Sequence, residues 1–321
     1  ISIMRKNNLK IFVVLFSLLV GTGMSAQNSL WTKAHETETQ SHELQLRNGM
    51  PTEYDIFKLD TPALKSILAG APERFTGHSN VIVSLPTHEG ELQNFRVYEA
   101  SNFETELQEK HPRIRSYAAQ GIEDPTATAR FSVSDYTGVH VVIRSGNYPM
   151  VYIDPYTKDN NFYIVYTGTK IERTSDGFTC LVEDAANRSG FEEDVDYSPE
   201  NANDGTLRTF RLALACTRQY ANFHLNLQGV PTTATDAEKK AAVLSAMNDA
   251  MTRVNEIYNR DVAIHMNIIA NNEDLIFLTP ATDPYTNHDG FAMLGQNQAT
   301  CDSVIGSENY DIGHVFSTGG G

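Results

Sequence analysis

Thr209-Phe210-Arg211-Leu212-Ala213-Leu214-Ala215-Cys216 puts Phe210, Leu212, Leu214 and Cys216 on one side of an extended chain, and on this stretch rests the reading of the second half of the protein. Apolar residues at every second position define a strand with one buried face. Downstream, Thr235-Asp236-Ala237-Glu238 has capping-box form, in which the threonine hydroxyl and the glutamate carboxylate each accept a free N–H at a helix start. Leu244, Met247, Met251, Val254 and Tyr258 then recur at helical spacing, which predicts a long amphipathic helix. Alternation returns over residues 262–270, with Val262, Ile264, Met266 and Ile268 on one face. Strand, helix and strand in this order predict a parallel βαβ unit with a right-handed crossover. A turn-rich connection through Thr279-Pro280 and Asp283-Pro284, a shorter helix over 292–305 and a strand over 311–318 extend it.

Upstream the pattern changes type. Runs over 81–85, 95–98, 129–133, 139–143, 150–153 and 162–166 are rich in β-branched and aromatic residues. They are broken by His88-Glu89-Gly90, Thr137-Gly138, Ser145-Gly146-Asn147 and Lys158-Asp159-Asn160-Asn161, a spacing that predicts an antiparallel sheet or sandwich. Asp60-Thr61-Pro62 opens a short helix with Leu64, Ile67 and Leu68 on one face, ending near Gly70 and Pro72. Residues 28–54 are polar with little periodicity and read as a loose N-terminal stretch. Between the two patterns, residues 191–206 carry Glu192, Glu193, Asp194, Asp196, Glu200 and Asp204 among Ser, Pro, Asn and Gly. With almost no core-forming residues, that stretch reads as an exposed linker, a solvated loop within one domain being the other reading.

The expected organisation is therefore an export signal at 1–26, starting at Met4, a β-rich region at 27–190, an acidic linker at 191–206 and an unfinished α/β region at 207–321. The overall class is α+β / α/β, with the βαβ unit in a mixed sheet.

The 321 residues are 40% hydrophobic, enough for one or two sizeable cores. The formal charge of −15 repels phosphate backbones and disfavours nucleic-acid partners. Arg5, Lys6 and Lys10, an apolar run over 11–20 and small residues up to Ala26 have the form of an export signal cleaved near Ala26. The run is short for a bilayer, which needs about 20 residues, and no later segment qualifies. The expected location is secreted, periplasmic or cell-surface. Three cysteines leave at least one without a partner in this chain. Cys216 and Cys301, on a strand and a helix of one region, are candidates to pair, with Cys180 left over.

Zinc hydrolases with HExxH hold one metal with two histidines a helical turn apart, and the intervening glutamate polarises the bound water. His35-Glu36, His42-Glu43 and His88-Glu89 begin that pattern without completing it. No GxSxG, Walker A or CxxC motif is present. His224, His265, His288 and His314 stand singly, as surface or packing residues do, and Asp283, Asp289 and Asp311 are candidate calcium ligands. Asn187-Arg188-Ser189 has the form of a glycosylation acceptor.

Several stretches carry a resemblance to a family. Arg211-Leu212-Ala213-Leu214-Ala215-Cys216-Thr217, Met251-Thr252-Arg253-Val254-Asn255 with Tyr258, Arg260-Asp261-Val262-Ala263, Met293-Leu294-Gly295-Gln296-Asn297-Gln298, and the run from Asn309 through Asp311-Ile312-Gly313-His314-Val315 to Gly321 resemble the bacterial reprolysin-like metalloproteases of the metzincin clan. Phe95-Arg96-Val97, His111-Pro112-Arg113-Ile114-Arg115-Ser116-Tyr117 and Gly121-Ile122 with Asp124-Pro125 and Ala127 resemble the same family's propeptide.

The resemblance implies a zymogen of a zinc endopeptidase acting on protein or peptide substrates. Its HExxHxxGxxH helix would follow Gly321, so that no catalytic residue lies in residues 1–321. It also implies a substrate-binding edge strand, and Gly313, His314, Val315, Phe316, Ser317, Thr318 and Gly319 occupy its place. Such an edge pairs with extended peptide through free N–H and C=O groups. Cys180, just before the acidic linker, is a candidate inhibitory zinc ligand, a latch that related propeptides use, a buried or disulfide-bonded cysteine being the other reading. The alternative function is a non-catalytic exported binding or adhesion protein, a β-sandwich joined to a small α/β module.

Overall fold

The computed structural model describes residues 29–45, 49–170 and 205–319. The expected export signal, Cys180, Asn187 and nearly all of the acidic stretch lie outside the described residues. The described chain is mixed α and β: one large antiparallel sheet, one small parallel sheet, and helices packed on them.

The antiparallel sheet has nine strands: β1 (Trp31–Ala34), β2 (Asp55–Leu59), β3 (Ile82–Pro86), β4 (Leu92–Glu99), β5 (Arg115–Gly121), β6 (Thr128–Ser134), β7 (Gly138–Arg144), β8 (Val151–Pro155) and β9 (Phe162–Thr167). They lie in the order β1-β2-β9-β8-β7-β6-β5-β4-β3, and the outer strands β1 and β3 touch, so the sheet curls into a nearly closed barrel rather than a sandwich. Alternate residues point inward because successive side chains of a strand face opposite ways. Phe95 and Val97, Ala129, Phe131 and Val133, Val141 and Ile143, and Tyr163 and Val165 thus share one core.

Three short helices decorate this region: α1 (Glu36–Thr39), α2 (Thr61–Leu68) and α3 (Thr105–Lys110). In α2 the Asp60 carboxylate accepts the Ala63 N–H at 3.0 Å and Leu64 and Leu68 are buried, as the sequence predicts, while Ile67 is exposed.

The expectation of a loose N-terminal stretch is not met, and one strand is present that no apolar alternation marks. The polar N-terminal stretch is built into the sheet in its described part: β1 pairs with β2, and buried Trp31 packs edge-on against Tyr163 with ring centroids 5.4 Å apart. A strand of four residues is too short to show alternation, and what buries Trp31 comes from far along the chain. The β5 strand, Arg-Ser-Tyr-Ala-Ala-Gln-Gly, contains no β-branched residue; its neighbours β4 and β6 hold it extended, with Tyr117 stacked on Phe131 at 5.1 Å.

The second sheet is β10 (Arg208–Cys216), β11 (Ile264–Ile268) and β12 (Ile312–Phe316) in the order β11-β10-β12, every described pairing parallel. The chain leaves β10 through α4 (Arg218–Leu227) and the long α5 (Asp236–Asp261) to reach β11, then passes through α6 (Gly290–Val304) to reach β12. The capping box at α5 forms as expected, with Thr235 Oγ1 accepting the Glu238 N–H and Glu238 accepting the Thr235 N–H at 2.8 Å. Val262 caps α5 and is exposed, so β11 begins two residues later than its alternation suggests.

Strand β10 is central and buries both faces. Leu212, Leu214 and Cys216 face α4 and α5, while Ala213 and Ala215 face Met293 and Cys301 of α6. Cys216 and Cys301 therefore sit in different cores and are free, buried thiols rather than a disulfide. Burial pushes the Cys216 thiol up to about 12, which makes it inert as a nucleophile.

The region of the first sheet also completes the second. Phe103 bridges Ile268 in parallel fashion, with Ile268 N–H donating to Asn102 O at 2.7 Å and Glu104 N–H to Ile268 O at 2.9 Å. Phe103, Leu107 and Ile114 join the core formed by Leu212, Leu214, Met247, Met251 and Ile268.

Candidate functional site

Strand β12 lies at one edge of the parallel sheet, and among the described residues only β10 pairs with it. Ile312 and Phe316 turn toward the core beneath α5, and Val315 toward the core beneath α6. Gly313 sits where a Cβ would stand 3.2 Å from Asn297 Nδ2 and 3.4 Å from Cys301 Sγ, so the absence of a side chain lets α6 approach the strand. His314 is exposed, its ring edge-on to Phe316 at 5.4 Å.

Beyond β12 the chain is tied down. Thr217 Oγ1 donates to Asn287 Oδ1 at 2.9 Å, Asn287 Nδ2 donates to Thr318 Oγ1 at 2.9 Å, and Ser317 Oγ donates to Gly319 O at 2.6 Å. A Cβ on Gly319 would collide with the ring of His288, itself held at φ 72, the left-handed region in which a non-glycine residue is strained.

The singly placed histidines have separate neighbourhoods. His224 packs against Tyr220 with tilted rings whose centroids are 4.4 Å apart, and burial pushes it down to about 4. His265 lies 3.1 Å from Ser101 O and 3.2 Å from Asn259 Oδ1, and burial, with the charge of Arg130 nearby, also pushes it down to about 4. The candidate calcium ligands are engaged elsewhere. Asp311 takes Arg211 Nη2 at 2.8 Å and Arg211 N–H at 2.7 Å, Asp283 accepts the N–H groups of Arg218 and Tyr285, and Asp289 caps α6 through Ala292 N–H at 2.9 Å.

No three His, Cys, Asp or Glu side chains among the described residues group as metal ligands do. A zinc site therefore does not fit the described residues. No helix among the described residues is long and apolar enough to cross a membrane.

The most elaborate polar arrangement lies where the two sheets' regions meet, along one side of α5. Asn102 Nδ2 donates to Ser116 Oγ at 2.9 Å, Asn248 Oδ1 at 3.0 Å and Thr252 Oγ1 at 2.8 Å, and Asn255 Nδ2 donates to Asn102 Oδ1 at 3.0 Å. Asn255 also holds β11 through Met266 N–H at 3.0 Å and Met266 O at 2.9 Å. Ser245 meets Ser134 and Thr137 at 2.6 and 2.9 Å, and Ser132 donates to Asp249.

Charged pairs flank this network. Arg253 and His140 both engage Asp154, while Glu256 stands 3.8 Å from Arg130 and 3.7 Å from Arg144. Burial raises the carboxyls of Asp249 and Glu256 above their ordinary values, against the pull of the neighbouring cations.

In the sequence Ser116, Thr252 and Asn255 stand out only within the stretches that carry the family resemblance, yet a signal for a buried polar face is present. Ser245, Asn248, Thr252 and Asn255 recur three or four apart, one helical face of small uncharged hydrogen-bonding groups. A solvated face normally carries charges; a stripe of Ser, Asn and Thr on a long helix marks a polar surface to be buried.

Residues 244–321, covering most of α5, β11, α6 and β12, match the family described as metallo-peptidase family M12B, reprolysin-like. No curated protein matches the chain. The match falls on the parallel sheet and its helices, so this part of the chain is similar to the reprolysin-like M12B metallopeptidases.

Proposed function

We propose that the protein is made as an exported, latent precursor of a zinc-dependent endopeptidase that cleaves proteins or peptides. Residues 27–190 act as its propeptide, 191–206 as its maturation region and 207–321 as the first part of its catalytic domain. The observation that carries the reading is the reprolysin-like match over 244–321, which coincides with a parallel α/β core of the expected element order. The family's peptidases are zinc-dependent, and residues 1–321 contain no complete HExxH, so the metal-binding helix is assigned to sequence beyond Gly321.

Within this reading the outer edge of β12, continuing to Gly319, receives substrate as an added strand. Its place at a sheet edge supports this, and the glycine there permits close backbone approach. A further strand of the same sheet would use the same edge. Amide exchange at residues 313–319, with and without an extended peptide inhibitor bound to the complete protein, separates the two: protection present without peptide means that a strand of the protein already occupies the edge. Cys180 is proposed as the latch on zinc, so Cys180→Ala in the complete precursor should give activity before maturation; unchanged latency removes that role.

The decisive test is the reading frame beyond Gly321 together with peptide hydrolysis by the complete protein. HExxHxxGxxH in that frame, with activity abolished by a chelator and restored by zinc, supports the proposal, whereas a frame without the histidines sinks it.

A further inference from the structure

We infer that the β-rich region is a lasting, tightly bound partner of the parallel-sheet region, one that stays in place after the chain between them is cut. This rests on the reading of 191–206 as the maturation region. Three independent kinds of contact carry it. The backbone of Asn102 and Glu104 adds to the outer edge of β11, taking up N–H and C=O groups that would otherwise be exposed. Phe103, Leu107 and Ile114 are at most 3% exposed and fill the core over Leu212, Met247, Met251 and Ile268, so separation would open an apolar face to water. Asn102, Ser116, Asn248, Thr252 and Asn255 hydrogen-bond to one another while at most 2% exposed, with Asn248 Nδ2 left over, and each would lose partners on separation.

Geometry gives the partner a role other than plugging the cleft. The β-rich region adds to the β11 side of the sheet order β11-β10-β12, and β12 is on the opposite side. A body held there braces β11 and α5 and leaves the β12 edge to other occupants. Cutting the maturation region thus releases only what that region itself constrains, and the β-rich piece remains as a structural subunit.

The test uses the full chain with a site for a sequence-specific endoprotease placed in 191–206. After complete cutting, the two pieces are expected to co-elute in size-exclusion chromatography as a 1:1 complex with the retention of the uncut protein, down to nanomolar concentration. Elution as two separate species overturns the inference. In the same cut protein Asn102→Ala should weaken the complex by about tenfold to a hundredfold, since it strands Asn248 and Asn255 in a buried site. If Asn102→Ala fails to fold, Thr252→Val, which removes one hydroxyl of the network at nearly constant shape, provides the same comparison. An unchanged dissociation constant in the variant that folds overturns the role given to the network. The readout is mass and affinity, not hydrolysis, so a failure here is distinct from a failure of the peptidase reading.

Discussion

The two edges of the parallel sheet are finished differently. At β11 the edge is closed by residues 102–104 of the other region, with an apolar core behind it and a buried polar network beside it. At β12 the described residues provide no second partner, and the strand leads to Gly319, which packs against the strained His288. An exposed strand edge is a template for pairing, so proteins cover it or use it. One edge of this sheet is committed to architecture, and the other has no second partner among the described residues.

The largest expected effect tests the committed edge. Phe103→Ala should destabilise the chain by about 3–5 kcal/mol, because it leaves a cavity in a core built from both regions. Denaturant unfolding followed with one probe in each region should show both transitions moving together. Movement of only one breaks the idea of a shared core.

Next comes the charged flank. Glu256→Gln leaves Arg130, 2% exposed, and Arg144 without their carboxylate but also removes a charge that burial disfavours, so the two effects partly offset and the net cost is about 2 kcal/mol, measurable in the same unfolding experiment. A change near zero would mean that Glu256 stabilises nothing there.

Acidification sharpens the comparison further. The pKa values of His224 and His265 fall from 6.5 to about 4 in the folded chain, so both favour the neutral form, and the stability they contribute is present above 6.5 and lost as pH falls toward 4. Roughly 3 kcal/mol per histidine is at stake over that window. Asp249 and Glu256, raised by burial, act in the opposite sense: their ionisation costs stability as pH rises, so acid partly relieves them. The net expectation is a falling thermal midpoint from pH 6.5 to 4, flattened in His265→Gln, which joins α5 and Ser101 at the closed edge. A midpoint independent of pH would show that these histidines do not lose their charge on folding.

The smallest effect tests the open edge. Gly313→Ala pushes a Cβ against Asn297 and Cys301 and should cost about 1–2 kcal/mol, with α6 giving way slightly. A larger loss would mean that β12 is set by α6 packing more than by pairing to β10.

Period-two and period-3.6 apolar patterns in the sequence determined most of the elements, since local hydrophobic alternation is a property of the strand or helix itself. The runs at 129–133, 139–143 and 162–166 became β6, β7 and β9, and the threonine-glutamate pair at 235 and 238 caps the helix as read. The resemblance carried by 251–255 and 309–321 falls within the matched family segment.

Only the tertiary structure decided what each face would meet. The outward residues of β6, Arg130, Ser132 and Ser134, alternate in sequence as though solvated, yet they are buried against α5, where they meet Glu256, Asp249 and Ser245. Trp31 and Phe103 likewise read as isolated apolar residues until strands distant in sequence close over them. A side chain's period reveals that it has a face; the partner of that face comes from a long-range contact, which no local window of sequence contains.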